Sequence, residues 1–138
     1  MTKTSQKIDN SPSDSGVIWN LQILAENILE VIRSELCKPV TIHSAYRSPA
    51  VNKAIGGSSS SQHMKGLAAD FHVKGISNHA LAEWIQENLD FDQLILENYI
   101  EGIDNSGWIH CSFSPKNLRY QVLTKFKGSK IYHPGLLK

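Results

Sequence analysis

The feature of this sequence that most restricts its fold is a parity shared by three short segments. Side chains alternate between the two faces of a strand. In "AADFHV" this puts Ala69, Phe71 and Val73 on one side and Ala68, Asp70 and His72 on the other. "DQLILE" separates Leu94 and Leu96 from Gln93, Ile95 and Glu97, and "WIHCSF" separates Ile109, Cys111 and Phe113 from Trp108, His110 and Ser112. The apolar sides should share one core. Each segment is thereby committed to a sheet with one packed face.

The remaining elements follow from period and punctuation. In "VIWNLQILAENILEVIRSEL", Leu21, Ala25, Ile28, Ile32 and Leu36 recur at helical spacing, and Pro39 bars continuation. "PVTIHSAY" is short and alternating, hence a strand, with His43 opposite in parity to Val40 and Ile42. In "RSPAVNKAIGG", Ser48 suits the N-cap, Pro49 the first helical position, and Gly56 or Gly57 the stop. "SSSSQHMKG" reads as a loop. "SNHALAEWIQENL" is a helix capped by Ser77, with Leu81, Trp84, Ile85 and Leu89 along one face. "YIEGIDNS" favours a turn, so the strands on either side of it should form an antiparallel hairpin. "LRYQVLTKFKG" alternates as a final strand, and "SKIYHPGLLK" reads as an irregular tail. Helices at the start and middle, with strands that can pair by hairpins, predict an α+β fold: one domain, an antiparallel sheet flanked by helices.

The expected organisation is a flexible leader at 1–16, rich in Ser, Asp, Asn and Lys, followed by a folded domain at 17–138. A chain of 138 residues can bury a core without disulfide staples. Its net charge of +1 gives no electrostatic case for nucleic acid. No apolar run approaches the ~18 residues of a membrane span. The polar N-terminus holds no apolar segment of the secretory kind, so the expectation is synthesis in the cytoplasm without an export signal. Cys37 and Cys111 are too few and scattered for a disulfide framework and are expected to be free packing thiols.

If the three strands are neighbours, Asp70, His110 and Glu97 converge on one face, and His63 can fold back over them from its loop. Two imidazoles and a carboxylate form the three-ligand set of catalytic zinc, which keeps a fourth position open. Hydrolysis needs a further carboxylate that is not a ligand, and Glu97 is the acid best placed by parity. Arg47 is the candidate cation for a developing oxyanion. Each signal has a plainer reading: a His-x6-Asp pair arises by chance, a strand histidine is often structural, and a strand-end glutamate is often solvated. Only the conjunction argues for chemistry. His72 is expected to lie beside the site or at the surface, His43 to be structural, and His79 and His133 to be solvated. Trp108 suits a cleft wall or simple packing alike.

"SAYRSPAVNKAIGGSSSSQHMKGLAADF", followed by "FDQLILE" and "WIHCSF", resembles the zinc D-alanyl-D-alanine carboxypeptidase family, peptidase family M15, and most closely its small phage-type members. The pattern S-x-H-x-x-G-x-A-x-D stands here as Ser61, His63, Gly66, Ala68 and Asp70. The resemblance implies a hedgehog/DD-peptidase-like fold, with His63, Asp70 and His110 as Zn2+ ligands. It implies Arg47 as the group polarising the scissile carbonyl, and Ser61 near the bound peptide. Many members carry the catalytic acid three residues before the last histidine; here that position is Gly107. Small phage-type members instead resemble this chain in a glutamate ending the preceding strand, which implies Glu97 as the base, with Glu101 and Asp104 as fallbacks.

The expectation is therefore a zinc metallopeptidase acting on peptidoglycan stem peptides, at the terminal D-Ala–D-Ala bond, the L-Ala–D-Glu bond or the cross-link. Its setting would be phage lysis or a virion, its state monomeric, without nucleic acid or membrane insertion. The alternative is a zinc-containing wall-binding module of the same fold without catalysis.

Overall fold

The computed structural model describes residues 9–137. The chain forms a single α+β domain around a six-stranded sheet of order β1-β2-β4-β3-β5-β6. The strands are β1 (Val40–Ser44), β2 (Ala68–Val73), β3 (Gln93–Tyr99), β4 (Trp108–Ser112), β5 (Gln121–Phe126) and β6 (Tyr132–Pro134). The helices are α1 (Ser15–Leu24), α2 (Glu30–Leu36), α3 (Pro49–Ala54) and α4 (Asn78–Asn88). A π-helical segment, Ala25–Leu29, joins α1 to α2, and a 3-10 turn covers Gln62–Lys65. Among the described residues no helix is long and apolar enough to cross a membrane.

The parity argument decides which face is packed. Ala69, Phe71, Val73, Leu94, Leu96, Ile109 and Cys111 are buried in one cluster with Leu24, Ile28 and Ile32 of the first helical run and Leu81 and Ile85 of α4. Burial also pushes the Cys111 thiol far up. The helical layer thus covers one face of the sheet, and the opposite face carries Asp70, His110, Ile95 and Glu97. Caps form as their chemistry predicts: Ser48 accepts from Val51 N at α3, and Ser77 from Ala80 N at α4.

Several expectations are corrected. Ala25 is exposed, because the π turn holds an extra residue and rotates the stripe onto Leu24, Ile28 and Ile32. Cys37 ends α2 in the left-handed region (φ 54°) and is exposed, so it is free but does not pack. The loop before β2 contains the 3-10 turn. Ile42 is 46% exposed, because β1 is an edge strand whose register slips between Ile42 and Ser44. The β3–β4 hairpin is antiparallel, but β5 runs parallel to β3. The tail is not irregular: β6 pairs with β5, pinned where Thr124 Oγ1 donates to Gly135 O and accepts from Leu137 N. His79 is buried, with Nδ1 2.7 Å from Glu83 Oε1, and His133 is half-buried with its ring against Phe126. Of the expected leader, residues 1–8 lie outside the described residues. Beyond them Asn10 is buried, donating to Tyr46 O and accepting from Ser48 N, and α1 already begins at Ser15.

Candidate metal centre

The register of β2 on β4 sets Asp70 directly opposite His110. His110 Nδ1 lies 3.0 Å from Asp70 Oδ1. His63 reaches the same oxygen from the 3-10 turn, with Nε2 at 3.3 Å. Two features aim it there. Ser61 Oγ accepts from His63 N and starts the turn, while Gly66 ends it at φ 73°. A Cβ on Gly66 would come within 2.8 Å of Val17 O, so only glycine lets the turn sit against α1. His63 Nδ1 lies 2.7 Å from Ala45 O, which leaves Nε2 as the nitrogen that faces Asp70.

His63, Asp70 and His110 are buried, at 3%, 8% and 9% exposure, and each offers a donor atom within 4.8 Å of the others. This set fits zinc. Separations of 3.0 and 3.3 Å are near the edge length of a tetrahedron of ligands placed about 2 Å from a common centre. Burial alone would raise the Asp70 carboxyl, but hydrogen bonds from His110 and His63 prevail and hold it well below the usual carboxylate range. It is therefore an anion at neutral pH, as a ligand must be.

Arg47 stands over the other carboxylate oxygen, Nη2 donating to Asp70 Oδ2 at 3.3 Å. Its Nε donates to Ser44 Oγ at 3.1 Å and its Nη1 to Asn52 Oδ1 at 3.4 Å. Asn52 also donates to Ser58 O, which ties α3 to the serine loop. A Cβ on Gly57 would fall 2.1 Å from Asn52 Oδ1. Sequence reasoning passed over Asn52; its signal was a buried-type helix position followed by Gly56-Gly57.

These groups lie along a groove of about 690 Å³ whose lining includes Arg47, Ser61, His63, Asp70, Glu97 and His110. Glu97 pairs in register with Trp108, two residues along from the Ile95–His110 pair and on the same face. Burial raises the Glu97 carboxyl, as does the Asp70 charge, against the opposing pull of His110 and Lys125. Such an acid can exchange a proton closer to neutrality than a solvated glutamate. Glu101 and Asp104 are exposed in the β3–β4 turn and line no part of this groove. His72 stays outside the three-donor group and stacks on His43, with nitrogens 2.6 Å apart. Trp108 forms part of the groove wall.

Gly107 explains why no acid stands three residues before His110. It has φ 71°, and a Cβ there would lie 2.0 Å from Glu97 O. Backbone of β3 occupies the space.

A family model described as Peptidase M15 matches residues 1–112. No curated protein matches the chain.

Proposed function

The chain belongs to the peptidase M15 family, and on that premise we propose that it is a zinc-dependent metallopeptidase hydrolysing peptide bonds of bacterial peptidoglycan. The observation that carries this is the meeting of His63, Asp70 and His110 on the floor of a groove that also takes Glu97 and Arg47.

His63 Nε2, Asp70 Oδ1 and His110 Nδ1 would hold the ion. Zinc so held supplies a Lewis acid and makes water acidic enough to attack at neutral pH. Glu97, on the same sheet face, takes the proton of the attacking water and returns it to the departing amine. Arg47, braced by Ser44 and Asn52, donates to the scissile carbonyl oxygen as that oxygen gains negative charge. Ser61, at the groove margin, sits beside the bound peptide. The terminal D-Ala–D-Ala bond, the L-Ala–D-Glu bond and the cross-link are all peptide bonds of the required kind. The likeness to small phage-type members at Ser61–Asp70 and Trp108–His110 supports a lysin or virion setting, with the protein made in the cytoplasm and acting on the wall as a monomer.

The test is digestion of purified peptidoglycan by zinc-loaded protein, read by mass spectrometry of the soluble fragments. New amines and shortened stem peptides should appear, and a chelator should suppress them. Retained wall affinity with no new amine would instead identify a binding module.

A further inference from the structure

The family match ends at residue 112, yet one wall of the groove comes from later residues: Arg119, Gln121, Leu123 and Tyr132. This wall therefore belongs to the part of the chain that the family pattern does not describe. It is also the part with a built cationic group.

Asp92 is 2% exposed, and both its oxygens are engaged. Oδ1 accepts from Arg119 Nε at 2.8 Å and from Arg119 N at 3.0 Å. Oδ2 accepts from Arg119 Nη2 at 2.9 Å and from Gln62 Nε2 at 2.7 Å. One edge of the guanidinium is thus clamped. Its Nη1 has no acceptor among the described residues, and the side chain is 47% exposed where it lines the groove. A clamped fork with free N–H groups is preorganised for a carboxylate, which a flexible lysine is not.

Position gives the spacing. Gln93, Ile95 and Glu97 of β3 share the groove face, and Ile95 is level with His110. At about 3.3 Å per residue, Gln93 lies about 7 Å from Ile95, on the side away from Glu97. Arg119 belongs to that end, because Asp92 precedes Gln93 and Gln93 pairs with Gln121. The acidic groups lining the groove are Asp70 and Glu97, so beyond the metal ligands this end offers Arg119 and neutral amides.

We propose that Arg119, braced by Asp92 and Gln62, is a carboxylate-binding subsite, and that the substrate is a peptide with a free carboxylate about two residues from the cleaved bond. The identity of the cleaved bond rests on the peptidase reading above; the subsite itself does not. In a stem peptide the carboxylate has two sources, the acidic second residue and the C-terminus.

The experiment uses three synthetic pentapeptides of the sequence L-Ala-γ-D-Glu-L-Lys-D-Ala-D-Ala: both carboxylates free, the second residue amidated, and the C-terminus amidated. Zinc-loaded wild type should lose about ten- to a hundredfold in kcat/KM on one of the two amides, which identifies the source. In Arg119→Gln the ratio of acid to amide should collapse towards one, and in Arg119→Lys it should be intermediate. If Arg119→Gln unfolds because Asp92 is left unpaired, adding Asp92→Asn removes the buried charge and the same ratio is read. Equal rates on all three peptides in wild type, or a ratio kept in the variants, would overturn the subsite. If wild type cleaves none of them, digestion of purified cross-linked peptidoglycan decides the peptidase reading, and Kd for the same three peptides decides the subsite. An acid preference lost in Arg119→Gln upholds the subsite, and equal affinities end it.

Discussion

Glu97 shows how a single residue acquires a role from its surroundings. As a strand-end glutamate it is unremarkable; in the groove, burial favours its neutral form and lifts its pKa above the ordinary 4.5. Glu97→Gln keeps shape and removes the base. Turnover should fall by about 10²- to 10⁴-fold while zinc stays at one per chain, measured by elemental analysis alongside peptide hydrolysis. Activity within a few-fold of wild type would exclude Glu97 as the base. A second prediction concerns Lys125, whose charge lowers the Glu97 pKa. Glu97 works as the carboxylate, so activity rises as pH climbs through its pKa. Lys125→Met withdraws a stabilising cation and raises that pKa. The acid limb of kcat/KM should therefore move to higher pH, whereas an unmoved limb would place another group in control.

At the scale of elements, the β3–β4 hairpin decides where an acid can stand. Installing the commoner family pattern by Gly107→Glu would force a side chain into φ 71° and into Glu97 O. Backbone strain alone costs about 1–3 kcal/mol, and the clash adds to it. Thermal melting should show a drop of several degrees, with hydrolysis lost rather than gained. An unchanged melting temperature would mean that the hairpin tolerates a side chain there. What the sequence disclosed was period-two order: β2, β3 and β4 presented the faces their parity required, and so brought Asp70 and His110 level. Long-range pairing was less legible. The parallel seating of β5 beside β3 starts next to Asp92, which accepts from Gln62 and Arg119 far along the chain. β6 is three residues ending in Pro134, and beside its pairing with β5 it is held by the hydroxyl of Thr124. The π turn hid in a helix whose composition is ordinary, and it moved Ala25 out of the stripe. His79 looked solvated because the ring it rests against, Tyr99, belongs to β3; Glu83, one helical turn on, was within reach of the sequence.

For the whole molecule, the division of the sheet into a packed face and a working face couples chemistry to stability. His63, Asp70 and His110 come from a loop and two strands, with Asp70 and His110 40 positions apart. An ion bound by all three would therefore bind the folded chain and not the unfolded one. Its contribution follows from mass action: at a free concentration a thousand times Kd it is about 4 kcal/mol. For a domain of this size that corresponds to a melting temperature roughly 10–20 °C higher than in the presence of chelator. His63→Ala removes a donor from the loop, leaving Asp70 and His110 in register. It should melt at the same temperature with and without zinc, separating loss of the ion from any loss of packing. Wild type whose melting temperature ignored both zinc and chelator would show that the three donors hold no ion, and the catalytic reading of the groove would fall with them.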